Sequence, residues 1–301
     1  MAQAKRKLTL KLIEERIQQL PLLPAEVCEL MSADTDTPEF YDKVTALAKS
    51  DPSLATRVLQ IVNSAAAAPV HPITDIHQAI IHIGVNKTLK FIYFLSVVKV
   101  FTPVTANQKA IWQHSIETAR FAEFIAMNME DTAIDKGLAY TCGLLHDIGR
   151  LVLFELSSRA IDLVDTKGWD TPIELPEIEN RMLGFTHADV GYIAIKKWGL
   201  PRVLMDIVLY HHHYDLYSNP KVSEDVTELI TIVQFADFLS VLIEKNPDWP
   251  TWNKETLEKE ITASCIQDDW PRINFPIKSL VEELPSLNAE CQNSVKVLGL
   301  G

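Results

Sequence analysis

The stretch GLLHDIGR, Gly143–Arg150, sets a histidine beside an aspartate among apolar residues at helical spacing. The dipeptide alone carries little weight, because chance yields roughly half a His-Asp pair in such a chain. Its weight comes from other polar residues in equally apolar text. His114 lies in AIWQHSIETA, and His187 stands in the first turn of a helix capped by Thr186. His211, His212 and His213 end an apolar helix, and Asp237 lies in IVQFADFLSVL, apolar on almost every face. A buried carboxylate without a partner costs several kcal/mol or takes up a proton. Asp147 and Asp237 share that problem, and Arg150 is the nearest cation in sequence. A divalent metal would neutralise both carboxylates. It would also explain why six of the nine histidines lie between His114 and His213. Imidazole and carboxylate without thiolate suit iron, manganese, zinc, nickel or cobalt rather than calcium. For any one of these histidines, an ordinary hydrogen-bonded core or helix-end role is the simpler reading; only the set points to a metal. Neighbours on a helix diverge by about 100°. His146 and Asp147 would therefore flank a metal between their directions, or the aspartate would bridge two. Gly143 and Gly149 are expected to leave room around the pair.

The elements that must position these groups are helical. Apolar residues recur at three- and four-residue spacing along nearly every long segment, and no stretch alternates long enough to demand a sheet. The expected class is all-α, a multi-helical bundle. Helices are expected over KLTLKLIEERIQQL, TPEFYDKVTALAKS and DPSLATRVLQIVNSAAAA. PITDIHQAIIHIG should stop at Gly84, and NKTLKFIYFLSVVKVF reads as a core helix. A weak boundary falls at Thr102–Gln108. After it, NQKAIWQHSIETARFAEFIAMNM and DKGLAYTCGLLHDIGRLVLFEL each read as one helix, with the HD pair inside the second. Thr166–Pro176 reads as a loop. THADVGYIAIKKWGLP opens on a capping box of Thr186 and Asp189. Two more helices follow, and from Asn246 short helices and irregular text carry Trp249, Trp252 and Trp270, expected to cover the core.

Composition narrows the partners. The 301 residues carry a formal net charge of −12, which argues against a nucleic-acid polymer because phosphate contacts need a basic face. The four cysteines, Cys28, Cys142, Cys265 and Cys291, show no C-x-x-C spacing, so neither a zinc ribbon nor a redox pair is indicated. No apolar run reaches the roughly 18 residues of a membrane span. The N-terminal text has no signal-peptide core. A cytoplasmic protein in a reducing compartment is expected.

The order His114, His146-Asp147, His187, His211-His212, Asp237 resembles the HD superfamily of metal-dependent phosphohydrolases, in the version with additional histidines. LPLLPAE at Leu20, SDPSLATRVLQIVNSA at Ser50, ITDIHQAIIHIGVNKTLKF at Ile73, IWQHS at Ile111, GFTHADVGYIAIKKWGLP and LYHHH resemble the narrower HDOD family, the HD-related output domain of bacterial signalling proteins. The resemblance covers Gln18–Ile243. It implies a helical N-terminal part (residues 1–105) packed on an HD-like part (106–245), followed by an extension (246–301). It also implies one metal held by His114, His146, Asp147 and Asp237, and a second held by His187, His211 and His212 with Asp147 bridging. The triple histidine could shift by one, bringing in His213. The glycine-rich GYP segment of the relatives that cleave cyclic di-GMP is replaced by HYDLYSNP. An acidic ligand of some relatives is Ala110 here, and the lysine three residues after the HD aspartate is Arg150. Cyclic di-GMP hydrolysis is therefore not expected.

Three functions follow from the resemblance, and the first is the one expected, with the second as its alternative. The first is a signalling output module that binds one or two metals and contacts a signalling protein. The second is a phosphohydrolase acting on a phosphate ester or nucleotide, with Asp147 orienting water and Arg150 taking up charge on phosphate oxygens. The third is an interaction module with an empty site.

Overall fold

The computed structural model describes residues 8–20, 24–31, 37–50, 55–56, 58–59, 62–63, 73–219, 222–271 and 273–297. The described residues form α-helices joined by short turns, with no strand among them. In chain order the helices are α1 (Leu10–Ile17), α2 (Ala25–Met31), α3 (Pro38–Ser50), α4 (Ile76–Ile83), α5 (Val85–Val100), α6 (Ala106–Asn128) and α7 (Lys136–Leu145). Then come α8 (Ile148–Asp165), α9 (Glu174–Leu183), α10 (His187–Lys197), α11 (Arg202–Tyr210), α12 (Glu224–Lys245), α13 (Lys254–Cys265) and α14 (Ile277–Val297).

Two main cores hold the described helices, with a third small cluster of Val164, Leu175 and Ile178 beside them. The smaller gathers Val27, Phe40, Val44, Val58, Ile80 and Ile92 from α2 through α5. The larger centres on α6 and α12 and takes in Ile13 and Ile17 of α1 at one end and Leu284 and Cys291 of α14 at the other. Helix α5 belongs to both: Leu89, Ile92 and Tyr93 face the smaller core, while Val97 faces the larger. A polar seam crosses the same junction. Lys90 of α5 pairs with Glu123 of α6, Arg120 reaches Glu123 at 2.5 Å, and the same guanidinium reaches Glu290 of α14 at 2.6 Å. Trp249 and Trp270 are buried in the larger core. The short helix expected at KETLEKEITASC is α13, whereas the one expected near the C-terminus is the long α14, with Pro285 inside it.

Asn63 ties the end of the segment before α4 to its continuation. Its side chain donates to the carbonyls of Leu59 and Ile73 and accepts from the Ile73 amide at 2.8 Å. Ser64, its neighbour in the NSA segment, lies outside the described residues.

Helix α12 is long and apolar enough to cross a membrane once Thr, Gln, Asp237 and Ser240 are averaged with their apolar neighbours. That differs from the reading of the sequence as unbroken apolar runs. In the fold α12 is the buried central helix, packed on α6 and α13.

Three local features differ from the sequence reading and aim the site. First, His146 and Asp147 are not inside a helix. They form a two-residue break, His146 ending α7 and Asp147 preceding α8 with φ −97° and ψ 15°. Second, α8 is broken at Ser157 (φ −166°, ψ 82°). Fifteen residues of straight helix span about 22 Å, yet Arg150 and Asp165 are hydrogen-bonded at 2.8 Å. The break folds the second half of α8 back over the first. Third, Gly143 and Gly149 do not leave space; they permit contact. A Cβ at Gly143 would lie 2.8 Å from the Thr118 carbonyl of α6, and one at Gly149 would lie 1.9 Å from the His187 carbonyl of α10. These two approaches bring the backbone around His146-Asp147 against the helices that carry His114 and His187.

Gly149→Ala should therefore force α8 and α10 apart and lower stability by about 3 kcal/mol or more. Gly168→Ala, in open space at φ +74°, should cost only about 1–2 kcal/mol of backbone strain. Thermal unfolding of the two variants beside the parent chain checks the ranking.

Candidate metal centre

Seven of the expected side chains converge from five places in the chain. His114 comes from α6, His146 and Asp147 from the break before α8, His187 from the first turn of α10, His211 and His212 from the end of α11, and Asp237 from α12. Thr186 fixes the His187 turn: its hydroxyl accepts from the Asp189 amide, and the Asp189 carboxylate accepts from the Thr186 amide at 2.8 Å. His211 caps α11, which lets His212 turn inward as well. His213 stays outside the cluster, exposed and packed edge-on to Tyr210.

The rings point one way. Nδ1 of His146 lies 2.7 Å from the Gly143 carbonyl and Nδ1 of His211 lies 2.9 Å from the Val208 carbonyl. Nδ1 of His187 lies 2.7 Å from Glu179, and Nδ1 of His114 lies 3.0 Å from the Ser240 hydroxyl. Ser240 in turn donates to Glu117 at 2.8 Å, so its oxygen is left to accept from His114. Carbonyl and carboxylate oxygens only accept, so Nδ1 carries the proton and Nε2 is the free donor atom. The Nε2 atoms meet inside: His114 and His146 at 3.3 Å, His187 and His211 at 3.1 Å, His187 and His212 at 3.1 Å.

Asp147 joins the two sets. Its Oδ1 lies 3.0 Å from His187 Nε2 and 3.6 Å from His211 Nε2, while its Oδ2 lies 4.0 Å from His114 Nε2. Two donor groups result, each with its atoms within 4.8 Å of one another: Asp147, His187, His211 and His212, and His114, His146 and Asp147. Asp237 sits beside the second group, its Oδ1 3.3 Å from His114 Nε2, and is 3% exposed.

This donor set fits a divalent cation. Neutral imidazoles 3.1–3.3 Å apart through Nε2 set lone pair against lone pair. A proton on one ring relieves one such contact and leaves the next unrelieved. Metal-free, the cluster shares out protons unevenly. Burial opposes the charged form of His187, but Glu179 and Asp147 raise its pKa to about 10. Burial also opposes charge on His114, yet Asp237 and then Asp147 raise it to about 9. Burial holds His146 down to about 4, and burial with the His211 ring holds His212 well below its usual range. Burial works against the Asp147 carboxylate, but His187 above all keeps its pKa well below normal. Two imidazoliums thus stand where cations would serve every donor.

Glu179 was not singled out by the sequence reading. It is fully buried on α9, where Leu175, Ile178 and Met182 mark the inward stripe and Glu179 falls among them. A charged residue at i+4 from one stripe position was the available signal. Glu117 and Ser240 had one too: each lies three residues beyond His114 or Asp237, one turn along the same helix face.

Arg150 is 4% exposed. It donates to Asp165 at 2.8 Å, its Nε lies 4.0 Å from Asp147 Oδ2 without a hydrogen-bond partner, and its guanidinium lies 5.7 Å from the Trp169 ring. A cleft of about 250 Å³ opens here. His114, Asp147 and Arg150 line its inner part, and Asn107, Trp169 and Glu244 are among its other walls. Ala110 also lines it, leaving space where a longer side chain would intrude.

Two measurements follow. Metal must displace the protons on His114 and His187, so binding at pH 7 should release about two protons, and affinity should rise with pH until about 9–10. Calorimetry in buffers of different ionisation enthalpy reads the release; binding without proton release contradicts it. Glu179→Gln, which keeps an acceptor for His187 but removes its charge, should weaken metal binding by about 10–100-fold in a folded chain.

Comparison with known proteins bears on the fold and the family. The family model described as HDOD domain matches residues 20–214. An HDOD domain protein of unknown function from Geobacter sulfurreducens superposes with a TM-score of 0.69 at 25% identity, over 97% of this chain and 98% of its own. A protein from Shewanella amazonensis SB2B that carries the name "Putative phosphohydrolase" superposes with a TM-score of 0.70 at 20% identity, over 95% of this chain and 97% of its own. An uncharacterised protein of Treponema pallidum (strain Nichols) is 25% identical over 225 residues, 75% of this chain and 43% of the relative. The chain thus spans less than half the length of the curated relatives it matches. With its family model covering more than half of the sequence, the chain belongs to the HDOD family.

Proposed function

We propose that this chain is a metal-dependent phosphohydrolase built on an HDOD fold. The observation that carries the reading is the cleft: His114 and Asp147, the carboxylate common to both donor groups, line it beside Arg150. His187, His211 and His212 would hold one ion with Asp147. His114 and His146 would hold the other with Asp147, and Asp237 closes that side. Divalent ions bound there supply Lewis acidity toward phosphate oxygens and an acidified water.

The chain's own residues do the rest. Arg150 offers guanidinium N–H groups to phosphate oxygens, held in position by Asp165 and covered by Trp169. Asp147 stays ionised, so it is available to orient water rather than to donate a proton. Glu117 through Ser240, and Glu179 directly, keep the His114 and His187 rings aimed inward.

A second reading is a signalling output module in which the same site binds a phosphate ligand without turnover. The separate core of α2–α5, which contributes no residue to the cleft, supports a part reserved for a partner. The two readings diverge on turnover. The manganese-loaded chain should hydrolyse para-nitrophenyl phosphate or its bis-ester, and His146→Ala, with folding retained, should cut the rate by at least about 100-fold. Stoichiometric metal with no hydrolysis of either ester would leave the binding module.

A further inference from the structure

The cleft's outer wall has a chemistry of its own, carried by residues outside the donor groups. Asp165 and the Trp169 loop come from the folded-back end of α8; Glu244 and Lys245 come from the end of α12. Asp165 accepts from Arg150 of the inner end at 2.8 Å. The outer wall's own cation, Lys245, is already engaged. Lys245 donates to the Trp169 carbonyl at 2.5 Å, lies 5.1 Å from the Trp169 ring and reaches Asp170 at 3.9 Å. Glu244, exposed on the same wall, has no ion-pair partner among the described contacts. The inner end thus presents Arg150 and the metal groups to one phosphate. The outer end presents surplus negative charge and an indole.

Size sets a second limit. Clefts for drug-sized ligands run about 300–1,000 Å³, and this one is about 250 Å³. We infer that the cleft takes a small phosphomonoester: a single terminal phosphate on an uncharged, ring-bearing body the size of a nucleoside. A second phosphate, as in a triphosphate chain or a cyclic dinucleotide, would meet Glu244. This rests on the phosphate-binding reading of the site, and Glu244 becomes the residue that sets substrate charge.

The experiment separates the two claims. Binding of AMP, ATP and cyclic di-GMP to the manganese-loaded full chain is followed by calorimetry, and release of inorganic phosphate is measured on the same samples. AMP should bind at least about tenfold tighter than ATP or cyclic di-GMP. Exposed Glu244→Gln should bring ATP to within about threefold of AMP. Trp169→Leu should weaken AMP by about tenfold, the loss of one base–aromatic contact. ATP or cyclic di-GMP binding as tightly as AMP in the parent chain, or a Glu244→Gln variant with the parent's selectivity, overturns the inference while the phosphohydrolase reading stands. Selective AMP binding without phosphate release keeps the inference and overturns turnover. Failure of all three to bind overturns both.

Discussion

The structure depends on a local excess of lone pairs and negative charge gathered among buried side chains at the inner end of a cleft. Five imidazole Nε2 atoms and both oxygens of Asp147 face one another across about 3–4 Å, with Asp237 alongside. Carbonyls and carboxylates behind the rings lock Nδ1–H outward, so the rings cannot flip away without breaking those bonds. Such a cluster is tolerable only with cations in it. Protons on His114 and His187 provide a minimum, and divalent ions fit the donor set better, because each can satisfy several lone pairs at once.

That constraint explains the less regular parts of the fold. A continuous helix through His146 and Asp147 would point them about 100° apart; the break lets the two residues serve adjacent donor groups. Gly143 and Gly149 let two pairs of helix backbones, α7 on α6 and α8 on α10, come closer than any side chain allows. The fold-back at Ser157 carries Asp165 and Trp169 over the site and makes a cleft wall out of what would otherwise be a distant helix end. The small core of α2–α5 stands apart from this chemistry and is joined to it through α5 and the Lys90–Glu123–Arg120–Glu290 seam.

Much of this is legible in the sequence, and the reasons it fades are physical. Helical class follows from apolar spacing, and the polar residues of the site stand out because buried charge is costly wherever it falls. The Thr186-Asp189 capping box is a local hydrogen-bond pattern and so is readable locally. The break at His146-Asp147 is not, because LLHDIGRL keeps its helical period straight through it. The turn at Ser157 is equally silent, since only tertiary packing rewards it. Glu179 lies just past the segment expected as a loop, Thr166–Pro176, in a stretch with no assigned element, although its spacing from Leu175 placed it on the buried stripe. The glycines were read for the space they leave at the metal, whereas their role is the contact they permit between helices.

The central claim is that the converging donors hold two divalent ions that share Asp147. Anomalous diffraction from crystals of the full chain grown with manganese tests it most directly. Two peaks are predicted, one among His187, His211 and His212, the other between His114 and His146, with Asp147 reaching both. A well-ordered cluster with the rings in these orientations and no anomalous peak among them, at saturating manganese, would contradict the account.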